Sequence, residues 1–187
     1  MRDLSLHLLD LMENSIRAEA TVISVTVEQD PAKDKLRIVV EDNGPGLAVP
    51  AEQVLDPFYT TKAGKRTGLG LSLFQGAAER AGGRVTVGRS PLGGVLVAAC
   101  MRLSHMDRSP MGDLAATLSS VVCTNPEVDL WCRFVLRRPE QGGDREVVVR
   151  SSDVEKELPL GERYGLAVAR RLAEKVREGM ATVELAV

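Results

Sequence analysis

The chain has 187 residues, with 24 Lys and Arg against 26 Asp and Glu, enough for one large domain or two small ones with a real apolar core. The near-cancellation of charge leaves no global field to draw in nucleic acid. With one Trp, two Tyr and three Phe, no basic stripe interleaves with aromatics, which argues against DNA or RNA binding. No apolar run approaches the ~20 residues of a membrane span, and Asp3, His7 and Asp10 interrupt any export signal. Three cysteines, Cys100, Cys123 and Cys132, stand in no metal-like spacing, as expected of reduced thiols in a cytoplasmic protein.

Residues 4–18 read as an amphipathic helix. Leu8, Leu11, Met12 and Ile16 recur on one side, and His7, Asp10, Asn14 and Arg17 share the opposite stripe. Residues 22–28 alternate like a strand, 30–34 form a turn and 36–41 return as a second strand. The run Asp42-Asn43-Gly44-Pro45-Gly46 then opens a glycine-punctuated turn. A helical turn is expected at 50–55, an irregular stretch through Thr67, and a helix over 68–81 stopped by Gly82-Gly83. Residues 84–89 and 95–103 read as strands joined by a hairpin turn at 90–94.

The polar break at 104–110 is the expected boundary, dividing the chain into a domain over 1–104, a linker over 105–111 and a smaller α/β domain over 112–187. In the second part the pattern predicts a helix over 112–124, strands over 128–137 and 145–150, a helix over 162–178 and a short final strand over 182–187. Val128, Leu130, Cys132, Phe134 and Leu136 share one strand face, and Trp131 lies on the other. No nucleophile–base pair or metal cluster stands out there, so this part reads by elimination as a regulatory or docking module.

The first part carries the chemistry. The amide oxygen of Asn14 is a hard, neutral ligand suited to Mg²⁺. Asp10, one turn earlier, can orient or deprotonate a nucleophile near a γ-phosphate, and Arg17 can neutralise phosphate charge. Asp42, at a strand end, is an acceptor-only group able to take the exocyclic N–H of adenine, with Gly44 and Gly46 allowing close backbone approach. Gly68-Leu69-Gly70-Leu71 opens a helix whose unpaired N–H groups attract phosphate, with Lys62, Lys65 and Arg66 upstream. The spacing fits neither a Walker P-loop nor a dinucleotide fingerprint. Each segment alone is also what a solvated helix face, a strand-to-helix turn or a basic loop would carry.

In order, the segments resemble the ATP-binding superfamily of gyrase, the heat-shock chaperone, histidine kinases and mismatch-repair ATPases. The resemblance covers residues 4–103. Asp10-Leu-Met-Glu-Asn14-Ser-Ile-Arg17 looks like the N box and Val40-Glu-Asp42-Asn-Gly44-Pro-Gly46-Leu47 like the first glycine box. Asp56-Pro-Phe-Tyr-Thr-Thr61-Lys62 is similar to the F box of histidine kinases, and Thr67-Gly68-Leu69-Gly70-Leu71 to the second glycine box.

The resemblance implies a Bergerat-type α/β two-layer sandwich, a mixed, mainly antiparallel sheet under three helices. It implies that Asn14 holds Mg²⁺ and Asp42 reads adenine. Arg17, Gly44, Gly46, Thr61, Lys62, Thr67, Gly68, Leu69, Gly70 and Leu71 would contact ATP, with residues 59–67 as a short lid. Asp10 stands where hydrolytic members carry Glu, and Arg17 and the F box lean to the kinase branch. Gly93-Gly94-Val95 lacks the Thr that helps seat adenine in the family.

No helical phosphoacceptor module precedes the N box; His7 sits inside the pocket helix and reads as structural, and His105 as a surface residue. Three functions follow: phosphorylation of a protein partner in trans, an ATPase switch governing how the second part docks, or a nucleotide sensor. A homodimer stays open.

Overall fold

A computed structural model of the chain describes residues 3–54, 69–138, 140 and 142–185. The first helix, α1 (Leu4–Arg17), begins where the Asp3 side chain accepts from the Leu6 N–H at 3.1 Å, answering one of the unpaired amides of a helix start. Leu4, Leu8, Leu11 and Met12 are buried along it, each contributing roughly 1.5–3 kcal/mol by leaving water.

Strands β1 (Val22–Asp30) and β2 (Lys35–Asp42) pair antiparallel around a 3₁₀ turn at Pro31–Lys33. Their register sets Ile23 opposite Asp42, Val25 opposite Val40 and Val27 opposite Ile38. One face of the pair therefore collects the apolar side chains, because successive residues point to opposite faces. A short helix α2 (Ala51–Val54) and a long one, α3 (Leu69–Arg80), follow. The antiparallel strands β3 (Arg84–Arg89) and β4 (Val95–Arg102) extend the sheet beside β2, with Ala99 opposite Ile38 and Val97 opposite Val40.

The remaining elements are α4 (Leu114–Thr124), β5 (Asp129–Leu136), β6 (Arg145–Arg150), α5 (Ser151–Glu157) and α6 (Gly165–Val183). Here the expected division into two parts gives way to something else. Strand β5 pairs parallel with β1, with Leu130 beside Ile23, Cys132 beside Val25 and Phe134 beside Val27. The six strands form one sheet in the order β3-β4-β2-β1-β5-β6, mixed and mainly antiparallel as expected. A single cluster of buried side chains runs from Leu4 through Phe74 to Phe134 and Val176.

The segment expected as a linker instead pins α1: the Leu4 and Ser5 N–H groups donate to the Pro110 and Met111 carbonyls, both at 2.9 Å. The physical reason is an open side of β1. Its edge N–H and C=O groups pair with the backbone of β5, and the apolar side chains of β5 extend the buried face of the sheet.

The three helices expected of the first part are α1, α2 and α3, and in the same layer α4 of the second half packs beside α1 and α6 beside α4. Among the described residues 182–185 the expected final strand does not form. Helix α6 runs on through Thr182 and Val183 and ends at Glu184 with φ +58°. Leu172, Val176, Gly179 and Val183 are buried at helical spacing, and burial along that stripe overrides the β-branched Thr and Val. Gly179 lets the helix approach the sheet, since a Cβ there would stand 3.0 Å from Val147 Cγ1. Cys132 is fully buried and its thiol is pushed up to about 12 by burial; no cysteine is in a disulfide. Among the described residues no helix is long and apolar enough to cross a membrane.

Candidate nucleotide site

Asp42 ends β2 and is 5 % exposed. A buried carboxylate needs donors, and three converge on it. Oδ1 accepts from the Gly44 N–H at 3.0 Å and the Val95 N–H at 3.1 Å, and Oδ2 accepts from the Ser15 hydroxyl at 2.7 Å. A carboxylate offers about four lone-pair sites, so one on Oδ2 remains for a further donor. The Gly94 N–H also donates to the Asp42 carbonyl at 3.0 Å. A Cβ on Gly94 would lie 2.0 Å from Asp42 Oδ1 and 2.6 Å from the Gly44 nitrogen, and one on Gly44 would lie 3.2 Å from Oδ1 and 3.3 Å from the Ala18 carbonyl oxygen. The cradle around this acid is therefore closed to side chains. Gly46 turns the chain away with φ +84°, a conformation that L side chains rarely adopt.

Helix α1 links this acid to the other candidates. Ser15 follows Asn14 directly, so the residue that orients Asp42 neighbours the one read as a metal ligand. Asn14 Oδ1 accepts from Arg17 Nη2 at 2.6 Å, and Arg17 Nη1 also lies 3.6 Å from Glu13. One turn back, Asp10 faces the start of α3: a Cβ on Gly70 would stand 2.9 Å from Asp10 Oδ2. Leu71 is buried beside it at 9 % exposure, and Leu69 opens the helix. Asp10, Ser15, Asp42 and the first turn of α3 are thus brought together along one helix. Thr61, Lys62, Thr67 and Gly68, with the expected lid, lie outside the described residues.

Two contributors escaped the sequence reading. Ser15 is 5 % exposed, and its hydroxyl has the choice of the Leu11 carbonyl at 3.4 Å or Asp42 at 2.7 Å. A serine on the buried side of an amphipathic helix is a signal for such a partner. The second is the backbone at Gly94-Val95, whose N–H groups face Asp42 where the sequence offered no Thr. Asn43, by contrast, is structural: its Oδ1 accepts from the Thr21 and Val22 N–H groups, both at 2.9 Å, fixing the start of β1.

Metal binding by protein ligands alone has no support: among the described residues no group of three or more His, Cys, Asp and Glu could hold an ion. A single amide oxygen completed by phosphates and water is the donor set that suits Mg²⁺, and Asn14 Oδ1 keeps a second lone pair for it. A separate cavity of about 430 Å³ lies between α1 and α4, lined by Leu9, Glu13, Ile16 and Arg17 and by Ser120, Val121, Thr124 and Asn125.

Comparison with known proteins bears on these residues. A family model described as histidine kinase-, DNA gyrase B-, and HSP90-like ATPase matches residues 2–105. The sensor histidine kinase CpxA of Escherichia coli strain K12 is 36% identical over 92 residues, 46% of this chain and 20% of CpxA. The sensor histidine kinase ZraS of Salmonella typhi is 39% identical over 82 residues, 43% of this chain and 17% of ZraS. The chain thus spans about a fifth or less of the length of these relatives. Among solved structures, the ATP-binding domain of PrrB from Mycobacterium tuberculosis is similar with a TM-score of 0.40 and 25% identity, covering 52% of this chain and 66% of that one. The catalytic domain of the histidine kinase ThkA gives 0.44 and 30%, covering 55% and 68%.

Proposed function

The chain belongs to the histidine kinase-, DNA gyrase B-, and HSP90-like ATPase family, and on that premise we propose that it binds ATP with Mg²⁺ and passes the γ-phosphoryl group to a protein partner in trans. The observation that carries the reading is the Asp42 carboxylate, held by Ser15, Gly44 and Val95 with one acceptor position left over. That position suits the exocyclic N–H of adenine, and a glycine cradle beside it suits a flat base. Asn14, next to Ser15 on α1, would hold the ion, which supplies charge neutralisation at the phosphates. The first-turn N–H groups of α3 would face the phosphate oxygens, as helix starts do.

In the transfer, the bond from the γ-phosphorus to the β–γ bridging oxygen breaks and ADP leaves. The new bond forms to the acceptor atom of the partner. Asp10, held against the start of α3, takes the proton that the acceptor gives up. Incubation with γ-labelled ATP, Mg²⁺ and candidate partners is expected to label a protein; label found only as free phosphate contradicts transfer.

A second reading is favoured by one observation: α1, which bears Asp10 and Asn14, is tied by its first N–H groups to Pro110 and Met111. A nucleotide-driven change on α1 would then reach the second half directly, as in an ATPase switch. In that case Asp10→Asn abolishes slow turnover and leaves ATP affinity nearly intact; turnover that survives removes the switch reading.

A further inference from the structure

Residue His7 is 2 % exposed on α1, and among the described residues neither of its ring nitrogens has a hydrogen-bond partner. A neutral imidazole carries one donor and one acceptor, so a polar ring is buried here without its polar contacts, an arrangement that native proteins rarely keep. Its ring centroid lies 5.3 Å from that of Phe74 on α3, at an interplanar angle of 31°, and Phe74 is fully buried. One step along, Asp10 on α1 meets Gly70 on α3. His7 and Asp10 are three apart and Gly70 and Phe74 four apart, so each pair lies on one helix face. The α1–α3 contact therefore has two neighbouring points, one at the imidazole and one at the phosphate-facing first turn.

We propose that His7 is a positioning residue of the nucleotide site: as a neutral ring against Phe74 it holds the first turn of α3 at Asp10, and gaining a proton it releases that turn. The part concerning nucleotide rests on the ATP-binding reading. The charged groups that act on the ring are Asp3 at the cap of α1, Asp10 on α1, Arg80 on α3 and the positive amino-terminal charge. Burial is the largest influence and holds His7 below its ordinary value, joined by the positive amino terminus and Arg80, with Asp10 and Asp3 opposing. As pH falls through the ordinary histidine value the loosened form takes up the proton first. The joint is thus firm above that value and weakened below it.

The test is amide hydrogen exchange of α3 peptides, corrected for intrinsic rates, from about pH 8 to about pH 5, alongside the affinity of a fluorescent ATP analogue with Mg²⁺. In the unaltered chain, protection of α3 and nucleotide affinity are expected to fall together several-fold as pH drops. In His7→Leu or His7→Phe both should become flat across that range. Protection that is flat in the unaltered chain, or that falls equally in the variants, overturns the role of His7 while leaving ATP binding standing. Absence of nucleotide binding at every pH overturns the ATP reading and with it the role of His7 in that site, whatever the exchange shows.

Discussion

The half of the chain through β4 and the half after it share one sheet but use their polar groups differently. In the first half they converge on a point: a hydroxyl and two backbone N–H groups meet at Asp42. In the second half the charged pairs spread along the surface, and a comparable convergence, of Trp131, Ser151 and Ser152 on Asp129, ties β5 to the start of α5. Arg137 bridges Asp144 at 2.6 Å and Glu28 at 3.2 Å, Arg133 meets Glu146 at 2.8 Å, and Arg145 and Arg138 both reach Glu184. Exposed pairs of this kind contribute only about 0.2–1 kcal/mol each. The difference teaches a division of labour: one half carries a pre-arranged polar pocket, and the other closes the edge of β1 and backs α1 with α4.

If that division holds, removing the second half should do the most damage. Truncation after Ser104 bares the edge of β1, the apolar face shared with β5 and the side of α1 that meets α4. Loss of a cooperative thermal transition and a shift to aggregates on size exclusion are expected; a truncated chain that melts like the intact one would break the comparison.

Next in size is Gly94→Ala, whose Cβ would overlap Asp42 Oδ1. Overpacking of this kind costs roughly 1–3 kcal/mol, read as a lower denaturation midpoint, and nucleotide binding should vanish with it. Ser15→Ala removes one of three donors to Asp42. We expect a loss near 1.5 kcal/mol, the low end for a hydrogen bond to a charged group because two donors remain, with ATP affinity reduced but measurable. Smallest is Arg137→Ala on the surface ladder, expected to cost under about 1 kcal/mol and to leave nucleotide affinity unchanged. An effect of Arg137→Ala on affinity as large as that of Ser15→Ala would mean that the two halves are not separable in this way.

The sequence displays the first half more openly than the second, for a physical reason. Periodicity is local: the apolar stripe of α1, the alternation of β1 and β2 and the Gly82-Gly83 stop of α3 are all read within a few residues. The joining of β1 to β5 is not. That parallel pairing links Ile23 to Leu130 across 107 positions, and nothing near either residue announces the partner. Strand β5 itself was legible, with Val128, Leu130, Cys132, Phe134 and Leu136 buried as one face. Trp131, on the other face, donates its Nε1–H to Asp129 at 2.6 Å and lies under the Arg150 guanidinium at 4.6 Å. Helix α5 went unassigned because Ser151-Ser152-Asp153 resembles a turn; in the structure the Ser151 hydroxyl donates to Asp129 and accepts from the Leu130 N–H. At the site, Asp10, Asn14 and Asp42 could be named from spacing. Ser15 and the Gly94-Val95 backbone could not, because their role exists only once α1 and β4 meet at the end of β2.

Isothermal titration of the intact chain with ATP and Mg²⁺, beside Asp42→Asn, probes the pocket most directly. Saturable heat from the unaltered chain and a severe loss in Asp42→Asn are expected, since the amide puts a donor where the base requires an acceptor. No heat from the unaltered chain, or undiminished affinity in Asp42→Asn, would contradict a purine site at Asp42.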